Sequence, residues 1–150
     1  MPATHPVFAD HLTLREAIAA HRASLGDALV LPDDPEVAEM FEAHDACHAV
    51  FGCGTDFPDE AAVDTWTLTA TTMTFRRYLV YARHPAVAGI FEGLTARDWV
   101  VGTLAAIPAS FKAWWRGRKV TTPWAFDRYA DHLDTPLSQI RRTHGIVPLR

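Results

Sequence analysis

The sequence predicts an all-α fold: a single helical domain of six or seven helices over residues 1–150, with an ordered core at about 10–146. Three observations predict it. Apolar residues recur at helical spacing through most of the chain. Capping boxes, N-terminal prolines and terminal glycines mark where helices start and stop. No run reads convincingly as a sheet, and there are no repeats or low-complexity segments.

The elements follow in order. Thr13-x-x-Glu16 is a capping box, and Leu14, Ala17, Ile18, His21 and Leu25 continue it at helical spacing to Gly26. Asp34-Pro35-Glu36 starts a second helix, with an N-cap, a proline at N1 and an acid in the first turn. That helix runs to Phe51, with Val37, Met40, Phe41 and Phe51 as its apolar stripe. Two glycines and Pro58 make residues 52–58 a turn. Residues 59–84 read as one long helix, although Thr65, Thr67, Thr69 and Thr71 alternate as in a strand. A short helix follows at 85–94. Thr95-x-x-Asp98 opens another, which Pro108 kinks or splits before Phe111, Trp114 and Trp115. Helices at about 123–133 and from Thr135-Pro136 to Gly145 complete the chain.

Composition narrows the class. The chain is 49% hydrophobic with a net charge of −4, which argues against a general electrostatic grip on nucleic acid and leaves room only for local basic patches. Two cysteines without a CxxC pair point to a reducing cytoplasm. The first ten residues carry no signal peptide, and no stretch has the roughly 18 apolar residues of a transmembrane helix. Any lipid would be met peripherally, at the inner face of the cell membrane.

Chemistry concentrates between residues 44 and 60. His44 and His48 are one turn apart within the apolar stripe of the second helix, at the spacing that lets two imidazoles share a metal. Asp45 flanks them, and Glu60 follows beyond a tight turn. These four are the candidate metal ligands and catalytic residues. Such an N₂O₂ set suits one divalent ion: zinc first, with iron, manganese or cobalt as alternatives.

Cys47 projects about 60° from His44 and reads as a buried thiol lining the same cavity. Asp64, Thr67, Thr71, Thr74 and Tyr78 share Glu60's face of the third helix. That strip is either a polar head-group pocket or a threonine-rich helix seam, with Asp64 placed to orient a ligand histidine. His21, His84, His132 and His144 read as surface or capping residues. Phe111, Trp114 and Trp115 ahead of Arg116, Arg118 and Lys119 fit a membrane interface or core tryptophans followed by a basic helix end.

The stretch HDACHAVFGCGTDFPDE resembles the signature of the ubiquinone-biosynthesis family named for the fourth coenzyme Q biosynthesis protein. That signature is HDxxH, eleven residues, then Glu, met here by His44, Asp45, His48 and Glu60, with Gly52 and Gly54 matching the turn. Cys53 stands where the family more often carries an aromatic residue. The run from Trp114-Trp115-Arg116-Gly117-Arg118 through Asp134-Thr135-Pro136-Leu137 to Arg141 and Gly145-Ile146 is similar to the family's ending. The missing targeting extension fits a bacterial member.

The resemblance implies a divalent metal on those four residues and a hydrophobic cavity for a polyprenyl tail. It also implies attachment to membranes or to other quinone-biosynthesis enzymes. The implied reaction removes the ring carboxyl of a prenylated benzoate precursor and puts a hydroxyl in its place.

Two other functions compete. One is a non-catalytic organiser that holds a prenyl lipid and uses the metal structurally. The other is an HD-type metal phosphohydrolase, which would need His21 upstream and Asp98 or Asp127 downstream. A homodimer is expected from the aromatic-rich helical composition.

Overall fold

The computed structural model describes residues 8–26, 33–88 and 93–149. Among them the protein is all-α, with seven α-helices and no strand. These are α1 (Leu14–Leu25), α2 (Pro35–Phe51), α3 (Phe57–Ala70), α4 (Phe75–Ala82), α5 (Pro85–Ala88), α6 (Ala96–Gly117) and α7 (Leu137–His144). A 3-10 segment, Phe126–His132, links α6 to α7.

Local signals set the starts. The Thr13 and Thr95 capping boxes form as the spacing predicts. The Asp34 carboxylate accepts from the backbone N–H of Glu36 at 2.9 Å and opens α2. The short helix expected to reach residue 94 is described only as Pro85–Ala88, because residues 89–92 lie outside the described residues. Pro108 does not split α6, which is helical on both sides of it.

The structure corrects the long third helix. It stops at Ala70, and Thr71 turns extended at φ −121° and ψ 177°. Trp124 holds the chain there: its N–H donates to Ala70 O at 2.8 Å, and Thr72 N–H donates back to Trp124 O at 2.9 Å. Thr74 then caps α4. The same pairing holds residues 123–125 out of the predicted helix, which becomes the 3-10 segment. Thr65, Thr67 and Thr69 are nevertheless helical, and the strand-like alternation is absorbed by back-bonding of the hydroxyls. Those of Thr65, Thr67, Thr69 and Thr71 each donate to the carbonyl four residues back at 2.6–2.8 Å.

One core draws on nearly every element, including Leu14 and Ala17 of α1, Val50 and Phe51 of α2, Val63 and Trp66 of α3, and Leu137 and Ile140 of α7. Phe51 and Trp66 stack face to face at 4.6 Å. The C-terminal end of α2 is fully accounted for, although its last four carbonyls have no partner within the helix. His48 O accepts from Gly52 and Cys53 N–H, and Phe51 O accepts from Leu149 N–H at 2.7 Å. Ala49 O and Val50 O accept from the Arg141 guanidinium at 2.9 and 3.0 Å. Arg141 is itself buried, and it also donates to Phe8 O and to the Asp10 carboxylate.

α6 lies along α3 through small residues. A side chain added at Gly117 would collide with the Thr69 hydroxyl, and one at Gly102 would meet the Phe57 ring at 3.0 Å. Trp114 and Trp115 are exposed on the other side, so they are not the core tryptophans that one reading expected.

Candidate metal centre

The turn between α2 and α3 sets the geometry. Gly52 adopts φ 69°, the left-handed conformation that lets the chain reverse after α2. Gly54 N–H donates to the buried Asp59 carboxylate at 2.5 Å, and Asp56 caps α3 by accepting from Asp59 N–H. Glu60 is thereby fixed in the first turn of α3, facing the last turns of α2.

His44, His48 and Glu60 come together. Their ligand atoms all lie within 4.8 Å of one another, a group that could hold a metal ion. The imidazoles of His44 and His48 meet edge-on at 4.8 Å. His48 Nε2 is 3.6 Å from Glu60 Oε1. His48 Nδ1 lies 3.2 Å from the Cys53 carbonyl, a contact only an N–H can make. With Nδ1–H committed there, Nε2 is the ring nitrogen that faces Glu60. His48 is buried, whereas the Glu60 side chain is about one-third exposed, so the group opens to solvent on the α3 side.

The charges are arranged for a cation. Burial alone would raise the Glu60 pKa, but His48, His44 and His21 outweigh it and hold the carboxylate below its ordinary value of 4.5. Burial would likewise lower the His44 pKa. The contact of its Nε2 with Asp64 at 3.6 Å and the charges of Glu60, Asp64 and Asp45 reverse this and raise it.

The donor set fits a metal. Two imidazoles and one carboxylate are borderline-to-hard ligands, and one tautomer is already fixed. A tetrahedral ion with bonds of about 2.1 Å needs ligand atoms roughly 3.4 Å apart, so small side-chain rotations close the group.

Asp45 does not join these three. Its Oδ2 is 2.8 Å from Arg22 Nε and its Oδ1 is 3.6 Å from His21 Nε2, both on α1. His21 and Arg22 outweigh burial and keep its pKa low. His21 is the residue that sequence reasoning missed. It is buried rather than on the surface, and its ring stacks on His48 at 4.4 Å. Its place on the buried stripe of α1, between Ile18 and Leu25, was the available signal. His144 is also buried: its Nδ1 meets Thr122 O at 2.8 Å, and its ring packs edge-on against Trp124.

The remaining predicted residues lie around the site. Cys47 is fully buried beside Thr67, and burial pushes its thiol up to about 12. The Thr67 and Thr71 hydroxyls are spent on backbone carbonyls, and the break at Thr71 makes Thr74 the cap of α4 and puts Tyr78 on that helix. Asp64 lies beside His44, with its Oδ1 3.6 Å from His44 Nε2. The tyrosines of α4 close this side: Tyr81 packs against His44 at 5.9 Å, and burial together with Asp64 holds both Tyr78 and Tyr81 in the neutral form.

The carboxylates an HD-type site would require are elsewhere. Asp98 is used in the Thr95 capping box, and Asp127 pairs with Arg77 at 2.5 Å. No helix among the described residues is long and apolar enough to cross a membrane. No protein-family model matches this chain, and no curated protein matches it.

Proposed function

We propose that His44, His48 and Glu60 hold one divalent ion, zinc ahead of iron, manganese or cobalt, and that the protein processes a prenylated quinone precursor there. The observation that carries the metal is the His48 ring, whose Nδ1–H is committed to Cys53 O while Nε2 faces Glu60. Three protein ligands with an open side match catalytic metal sites, which keep a position for substrate or water, better than closed structural ones. The choice of substrate rests on the likeness of the HDxxH-to-Glu60 stretch to the ubiquinone-biosynthesis family. A prenylated substrate is a membrane lipid, so the protein would meet it at the inner face of the cell membrane.

When bound, the ion supplies a Lewis acid for the oxygen substituents of the ring. Glu60 and the two imidazoles fix its position. Asp64 keeps His44 oriented, and Tyr78 and Tyr81 present neutral hydroxyls beside it. Replacing the ring carboxyl by hydroxyl releases carbon dioxide, takes the new oxygen from water, and passes two electrons to an external acceptor such as dioxygen or a quinone.

The test is metal analysis of the purified protein, together with a single-turnover assay on the carboxylated prenyl precursor in the presence of an acceptor. The expected result is close to one metal per chain and conversion to the hydroxylated ring, both lost in His44→Ala and Glu60→Ala. A protein that holds no metal, or variants that keep turnover, would refute the reading. Lipid binding without turnover would assign the organiser role instead.

A further inference from the structure

The outer face of α6 carries a run of large exposed apolar side chains. Val100 (60% exposed), Leu104 (62%), Ile107 (56%), Phe111 (62%) and Trp115 (53%) project from the helix, with Trp114 beside them. The orientation is the reverse of an ordinary surface helix. Small residues, Gly102, Ala106, Ala113 and Gly117, face α3, and large ones face out. Together the exposed side chains offer roughly 650 Å² of apolar surface, at the top of the range for the largest patch of a typical monomer and most of the about 800 Å² per partner of a stable dimer.

We infer that a second copy of this chain docks on this face, with the two α6 helices antiparallel about a two-fold axis near Ile107. Three features favour that occupant. Val100, Leu104, Ile107, Phe111 and Trp114 follow one another in steps of four, three, four and three, the repeat of a helix–helix seam. The basic residues of the helix's second half are engaged on the chain itself. Arg118 and Lys119 each lie 4.9 Å above the rings of Trp114 and Trp115, Lys112 donates to Leu149 O, and Arg116 donates to Pro148 O. From Trp99 to Phe111 the face carries no charge, where a helix lying on anionic lipid would present cations along its polar flank. Antiparallel pairing also sets opposite ends of the two helix dipoles side by side. The inference is independent of the metal and of its chemistry.

Sedimentation velocity of the full chain tests it, beside Leu104→Glu and Phe111→Glu. Both positions are exposed, and far-UV circular dichroism checks that the variants stay folded. The expected parent mass is twice the 16.7 kDa of the chain, falling twofold in each variant. Under oxidation, Ile107→Cys is expected to give a covalent dimer, whereas Val80→Cys, exposed on α4, does not. A monomeric parent, a dimer that survives both charge variants, or an Ile107→Cys protein that does not cross-link would overturn the proposal. So would a monomer that floats with phosphatidylglycerol vesicles and stops doing so as Phe111→Glu, which would assign the face to lipid.

Discussion

Replacing Arg141 with methionine tests how the helix bearing both histidines is held. The substitution keeps an apolar stem of similar reach and removes the guanidinium. Two buried carbonyls at the end of α2, those of Ala49 and Val50, lose donors at 2.9 and 3.0 Å, and Phe8 O loses a longer one. A buried carbonyl left unpaired costs about 1–3 kcal/mol, so the two short bonds put the loss at about 3–4 kcal/mol. The ion pair with Asp10 adds little, because the Asp10 side chain is 70% exposed and solvent screens it. Urea unfolding followed by tryptophan fluorescence measures the change, and the melting temperature should fall by about 10 °C. Asp10→Asn is the control and should cost under about 1 kcal/mol. If Arg141→Met lies within about 0.5 kcal/mol of the parent, or Asp10→Asn costs as much, the carbonyls are not what Arg141 holds.

Metal-free protein should be most stable near pH 6.5. The raised pKa of His44 contributes stability that is lost as pH rises through its folded value, and the lowered pKa of His21 contributes stability that is lost as pH falls through its own. Urea midpoints across pH 5–8 check this, with His44→Gln removing the fall on the alkaline side and His21→Gln the fall on the acid side. Gly117→Ala should cost about 1–3 kcal/mol, because the new methyl collides with the Thr69 hydroxyl, and Thr69→Ala should recover part of the loss. Cys47, with its thiol pushed up to about 12 by burial, should stay unmodified by iodoacetamide at pH 8 until the protein is unfolded, as mass mapping of the alkylated site would show.

The parts of the fold that local chemistry controls were legible in the sequence. The Asp34-Pro35 start, the turn at Gly52 and the one-turn spacing of His44 and His48 depend on neighbours in the chain, and all three form. The parts that distant residues decide were not. The break at Thr71 has no glycine or proline to announce it, because it is made by backbone pairing with Trp124, 53 residues away by subtraction of positions. Asp45 reads as a fourth ligand until α1 supplies Arg22 and His21 to occupy it. On α6 a helical wheel shows two non-polar faces and cannot say which goes inward. The small one does, because it lets α3 approach closely.

The satisfied end of α2 bears on how portable the site is. Its donors sit within 17 residues, from His44 to Glu60. Their support comes from Arg141, Leu149 and His21, up to about a hundred positions away. A peptide cut from the α2–α3 hairpin, or the same motif grafted onto another helical pair, would carry every donor and lack the frame that aims them. Such a graft should bind metal far more weakly than the intact chain, since its ordering would have to come out of the binding energy itself. Closing that frame also requires contacts between opposite ends of the sequence, so the site should be among the last features to form as the chain folds.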